Sequence, residues 1–144
     1  MAEEQKVPKQ ETSELGDMNF RVMETEVEVR RQNHMFIFRI PSPRQIAAIG
    51  VRARQLRMMD FPGSDGSEEG LGWFEAMLYR AMATFESLLK TSSDTRLFSS
   101  DDKNNPVVDS SKWDQTISPE YIMEVYDGYL QAIDSFRQHG NGSK

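Results

Sequence analysis

Cysteine is absent from the 144 residues. That excludes disulfides, thiolate metal sites and a cysteine nucleophile, and it suits a reducing compartment. Histidine is scarce: His34 and His139 are the only two, one in an expected turn and one in an expected tail, and neither has a carboxylate at a recognisable catalytic spacing. No run of about 18 apolar residues occurs, so no membrane-spanning helix is expected. The opening "MAEEQKVPKQETSELGD" lacks the apolar stretch of a secretory signal. Basic residues are outnumbered, 17 Lys and Arg against 23 Asp and Glu, for a net charge of −6. Nucleic-acid affinity comes largely from neutralising phosphates, so this balance argues against a general nucleic-acid binder. Hydrophobic residues make up 38%, below the usual share even when glycine is added. One modest core with polar ends is the expected organisation.

The polar residues 1–17 cannot bury enough surface to offset ordering entropy, and they predict a disordered tail. A single folded domain is expected over 18–137, with a flexible end at 138–144. Within it, "NFRVMETEVEVRRQNHMFIFRI" predicts a β-hairpin over 19–40. Phe20 and Val22 open one face of its first strand, and Met23, Thr25, Val27 and Val29 line the other. Phe36, Phe38 and Ile40 share a face of the second strand, and Asn33 is suited to a left-handed turn position. A helix over about 43–58 starts with Ser42 as N-cap and Pro43 in the first turn. Its expected buried stripe is Ile46, Ile49, Ala53 and Leu56. A second helix over about 71–90 places Leu71, Phe74, Leu78, Ala81, Phe85 and Leu88 on one face, widened by Trp73, Met77 and Leu89. Residues 91–117 read as a long irregular segment, with Leu97, Phe98, Val107, Val108 and Trp113 pinning parts of it. A last helix over about 119–137 is capped by Ser118, with Pro119 and Glu120 in its first turn. The fold class is thus α+β and mainly α, an N-terminal hairpin followed by three principal helices in a small bundle.

Motifs for chemistry are few. There is no P-loop, nucleophile elbow or HExxH. Asp60, Asp65, Glu68 and Glu69 in "DFPGSDGSEEG" are the best metal candidates, but they lack the alternation of an EF-hand loop, so an acidic loop is expected. No catalytic residue, cofactor or metal is expected. Residues 36–59 hold five arginines and no acid: Arg39, Arg44, Arg52, Arg54 and Arg57. Helical spacing spreads them over the surface left by the apolar stripe. That disfavours a nucleic-acid face and leaves two readings, a solvated face meeting the acidic loop and the acids of the last helix, or a dock for an acidic protein. Tyr121, Tyr126, Tyr129 and Phe136 give the last helix more aromatic surface than a peripheral helix in so small a core requires. Together with Phe36 and Phe38 of the hairpin, and with Arg54 and Arg57, they form the expected partner-binding set. Nine methionines, among them Met58, Met59, Met77, Met82 and Met123, add adaptable apolar surface.

The stretches "FRIPSPRQIAAIGVRARQL", "LYRAMATFESLL" and "WDQTISPEYIMEVYDGYLQAIDSFR" together resemble the tail assembly chaperones of long-tailed bacteriophages. The matching positions are Phe38, Pro41 and Pro43; Arg80, Ala81, Ala83, Thr84, Glu86 and Leu88; Trp113; and Tyr126, Ser135, Phe136 and Arg137. Phe85 stands where the family pattern has leucine, and the acidic loop and residues 91–112 have no counterpart. The resemblance spans about 35–137. It implies a small non-enzymatic protein of the host cell cytoplasm. Such a protein coats the apolar tape measure protein, keeps it soluble until the tail tube polymerises, and is then lost from the particle. A longer form made by ribosomal frameshifting is common in the family. The tail tube protein and a second copy of the chain are further expected partners; nucleic acid and membrane are not. The alternative is a structural virion protein, a neck or capsid-associated subunit whose hairpin extends a neighbour's sheet. A small regulatory or DNA-mimic protein is a third class.

Overall fold

The computed structural model describes residues 19–99 and 107–141. The expected tail over 1–17, part of the irregular segment (100–106) and the last three residues lie outside them. The chain is α+β and divides into two compact units. The first takes residues up to 40, 90–94 and 124 onward; the second takes 41–89 and 95–123.

The first unit is built on strands β1 (Asn19–Val22), β2 (Glu26–Arg31) and β3 (His34–Arg39), joined by β4 (Leu89–Ser92) in a sheet of order β1-β2-β3-β4. The sequence predicts one long first strand, but the chain reverses between β1 and β2, where the Met23 N–H donates to the Glu26 carbonyl at 2.8 Å. Glu24 and Thr25 are exposed there. The reversal restarts the alternation, so Phe20 pairs with Val29 and Val22 with Val27. Val27 then faces Phe38, and Val29 faces Phe36. All four of these last residues are fully buried, because alternate residues of a strand share one face. The next turn puts a positive φ of 55° on Gln32, not on Asn33 as expected. Glu28, on the opposite face, is nonetheless buried, and Arg21 and Arg30 neutralise it.

The last helix, α3 (Pro119–Ser135), starts in the second unit and supplies its residues from Glu124 onward to the first. Its N-terminus is capped as expected, the Tyr121 N–H donating to Ser118 Oγ at 3.1 Å. Val125, Tyr126, Tyr129, Ala132 and Ile133 are buried. The Tyr129 ring lies 5.0 Å from that of Phe38 and stacks on Tyr126 at 6.1 Å. Burial pushes the Tyr129 phenol well above its usual pKa. The helical path continues as a π-helical turn over Phe136–Asn141, into the segment expected to be a flexible end.

The second unit centres on α1 (Pro43–Asp60) and α2 (Trp73–Leu88). Ser42 caps α1 in a reciprocal capping box with Gln45, and Pro43 takes the first helical position, where its missing N–H leaves no bond unmade. Ala53 and Leu56 pack with Tyr79 and Ala83, flanked by Ile49, Leu71 and Met82. Ile46, expected on this stripe, is 49% exposed in the first turn. Trp73, expected to widen the α2 face, is 73% exposed at the first position of that helix. The second helix ends at Leu88 because the following residues join the sheet, a tertiary override of helical propensity. Within 95–123, Leu97 is fully buried and accepts a hydrogen bond from Trp113 Nε1 at 3.0 Å. Trp113 also meets Phe85 edge-on at 5.8 Å. Phe98 and Val108 form a β-bridge, so they pin that segment as expected, whereas Val107 is exposed.

Phe85 is fully buried in the last turn of α2. Phe85→Ala is expected to lower the urea unfolding free energy by about 3–5 kcal/mol. An unchanged midpoint would place this ring outside the core.

Candidate functional site

The expected partner-binding set does not form a surface. Tyr121, Tyr126, Tyr129, Phe36 and Phe38 are each at most 9% exposed. Their aromatic excess is explained by core packing, with Tyr121 carrying Arg96 over its ring at 5.4 Å. Phe136 is half-buried. Arg57 is buried too, and of the set only Arg54 is well exposed. The structure therefore moves the candidate site to the second unit, onto the outer side of α1.

This helix carries apolar residues on two sides. One stripe, Ile49, Ala53 and Leu56, goes inward. Val51 and Met58, seven residues apart and so nearly aligned on a helix, stay 59% and 44% exposed. Ala47 continues their line one turn earlier and is also exposed. Ile46, Met59, Phe61 and Trp73 add further exposed apolar surface in the same unit. Scattered exposed apolar residues are ordinary; a set of this size concentrated on one helix and its flanks makes that helix the candidate interaction site. The signal was present in the sequence, since Val51 and Met58 repeat out of phase with Ile49, Ala53 and Leu56. Phe61 and Trp73, in a loop and at a helix start, carried no periodic signal.

The arginines are distributed as follows. Arg52 donates to Glu86 of α2 at 2.6 Å, and Glu86 also accepts from the Ser110 N–H at 2.8 Å and Ser110 Oγ at 2.6 Å. The hydrogen bond to Glu86 raises the Arg52 pKa further. Arg54 Nε donates to the Asp65 carbonyl at 2.7 Å, and Arg57 Nε to the Gly66 carbonyl at 2.5 Å. Arg57 Nη1 has no hydrogen-bond partner, although Glu68 Oε2 lies 3.8 Å away. Arg39 and Arg44 are exposed. Of the expected solvated face, Arg54 and Arg57 do reach the acidic loop, but through its backbone carbonyls and with Arg57 buried, and Arg52 goes to Glu86 of α2, not to the acids of the last helix.

The acids of that loop diverge. Asp60 accepts from the Tyr79 hydroxyl at 2.7 Å, which, after burial, is the second cause of the raised Tyr79 pKa. Asp65 caps the Ser67 N–H, the main reason its carboxyl is held below the usual range. Glu68 takes two hydrogen bonds from Arg80, which lower its pKa. Among the described residues, no three His, Cys, Asp or Glu stand close enough to hold a metal ion. His34, at the start of β3, lies 3.3 Å from Ser93 Oγ. A cleft of about 260 Å³ beside Arg57 and Phe61 is smaller than most ligand pockets. Among the described residues no helix is long and apolar enough to cross a membrane.

Gly66 fixes the loop against α1. Its φ is +76°, and a Cβ there would come within 2.6 Å of Arg54 Cγ and Met58 Cγ and 2.8 Å of the Arg54 carbonyl. Gly63, at φ +92°, has nothing within 4 Å.

Compared with protein-family models, with curated protein sequences and with solved structures, the chain matches none.

Gly63→Ala should cost about 1–2 kcal/mol from backbone strain alone. Gly66→Ala should cost about 1–3 kcal/mol more, because its neighbours must also move. Equal losses in thermal or urea unfolding would show that the loop does not pack on α1.

Proposed function

We propose that the chain is a tail assembly chaperone of a long-tailed bacteriophage, binding the tape measure protein and keeping it soluble while the tail tube polymerises. The observation that carries this reading, beside the sequence resemblance, is the exposed apolar surface of the second unit: Val51, Met58 and Met59 of α1, with Phe61 and Trp73. A protein that holds an apolar client needs such surface outside its own core. Methionine suits the task, since its unbranched thioether side chain adapts to different partners. An amphipathic client helix laid along α1 is the natural geometry. A net charge of −6 helps keep a coated client in solution. No catalytic residue, cofactor or metal enters this reading, and its setting is the host cell cytoplasm. A further contact with the tail tube protein fits a handover at polymerisation.

The virion-subunit alternative draws on one observation. β1 lies at an edge of the sheet, where unpaired backbone groups could accept a neighbour's strand.

Co-expression with the tape measure protein of the same virus separates the two. The soluble fraction of the client should rise several-fold with the wild-type chain. Ala47→Asp combined with Val51→Asp should remove that gain, while circular dichroism and melting temperature stay nearly unchanged, because both positions are on the surface. No gain with the wild type, or the chain present in stoichiometric amounts in mature particles, would overturn the chaperone reading.

A further inference from the structure

The outer side of α1 also indicates what kind of helix it takes. Ala47, Val51, Arg54 and Met58 follow at spacings of four, three and four, the seam of a helix that pairs with another helix. Arg54 stands within this line, and Arg44, exposed near the helix start, lies beside its Val51 side. No acid occurs in α1 before its last residue, Asp60. Arg52 is paired with Glu86 and Arg57 is buried, whereas Arg44 and Arg54 are exposed. Arg44 and Arg54 therefore set the charge that an incoming helix would meet.

The loop after α1 touches this side only at Arg54, which bonds to the Asp65 carbonyl, and at Met58, against which Gly66 packs, and both side chains stay exposed. The N-terminal half, with Arg44, Ala47 and Val51, is exposed. A second copy is a poor occupant. Neither seam offers an acid before Asp60, so pairing two of them gains no ion pair along the seam, and a parallel pairing sets Arg44 against Arg44 and Arg54 against Arg54, like charges that destabilise a helix pair.

We propose that the exposed seam of α1, Ala47, Val51 and Met58 with Arg44 and Arg54, binds an acidic amphipathic helix: apolar residues at three- and four-residue spacing, bordered by Asp or Glu. The span from residue 44 to 58 corresponds to about 21 Å of helix, roughly four turns of partner. This deepens the chaperone reading and rests on it for the claim that the partner is a client segment. The seam and its charge preference come from α1 alone.

The test uses the full chain and two labelled synthetic peptides of about 21 residues. They share one leucine seam and differ only in carrying Glu or Lys beside it. Binding is followed by fluorescence anisotropy at about 50 and 500 mM salt. The Glu peptide should bind about five- to tenfold tighter than the Lys peptide at low salt, as two or three partly exposed ion pairs allow. That preference should shrink at high salt. Arg44→Glu should weaken the Glu peptide and strengthen the Lys peptide, a reversal that damage to the fold would not produce. Val51→Asp should abolish binding of both. Equal affinity for the two peptides, no binding of either, or an unaltered preference in Arg44→Glu overturns the proposal. So does a dimer in sedimentation that Val51→Asp dissociates, which would make a second copy the occupant. If the tape measure protein is solubilised while the peptides fail, the acidic partner falls and the chaperone reading stands. If the Glu peptide binds selectively and the tape measure protein is not solubilised, the acidic partner stands and the chaperone reading falls.

Discussion

The buried guanidinium of Arg57 is the constraint from which the surface of the second unit follows. Leaving a charge of this kind out of water without partners costs several kcal/mol. It sits on the inward flank of α1, and its Nε finds the Gly66 carbonyl while Glu68 lies nearby. Meeting this demand holds the loop after α1 against the helix. The loop can approach only because Gly66 has no side chain and adopts a positive φ. Arg80 then holds Glu68 from α2, and Tyr79 holds Asp60. One buried charge thus ties helix, loop and helix together, and it confines the loop to the C-terminal half of α1.

The apolar residues divide accordingly. The aromatics of α3 have a structural role: Tyr129 packs on Phe38, Tyr126 stacks on Tyr129, and Tyr121 receives Arg96. Residues that carry the family resemblance are structural as well. Glu86 joins Arg52 to Ser110, Arg80 pairs with Glu68, and Trp113 packs on Phe85 and bonds to Leu97. Among the described residues, most of the large apolar side chains left outside are those of α1 and its flanks, with Val107 and Leu130 elsewhere. The resemblance thus describes the frame, and the proposed work falls to the outer side of α1.

Local signals in the sequence were legible where they act alone. Ser42 and Pro43 start α1, Ser118 and Pro119 start α3, and Phe85 is buried because it lies on an apolar stripe at helical spacing. What was not legible depended on distant partners. The reversal at Met23–Thr25 is hidden because its residues continue the alternation of a strand. β4 follows a strong helical pattern and becomes a strand only where a sheet edge meets it. Asn33 tolerates a left-handed conformation better than Gln32, yet the register places the positive φ one residue earlier. Aromatics at helical spacing look the same whether a sheet or a partner covers them, so Tyr126 and Tyr129 were open to either use. Charge spacing told that the arginines were dispersed, but not that two of them would bind loop carbonyls.

The central claim is that α1 presents its outer side to a client. Methyl-labelled methionine NMR reads this directly, since the methionines among the described residues occur in both units and Met58 and Met59 lie on α1. On adding the client protein, the Met58 and Met59 methyl signals should shift or broaden, while Met35 of β3 and Met123 of α3 stay in place. Perturbation of Met35 and Met123 with Met58 and Met59 unmoved would contradict the claim.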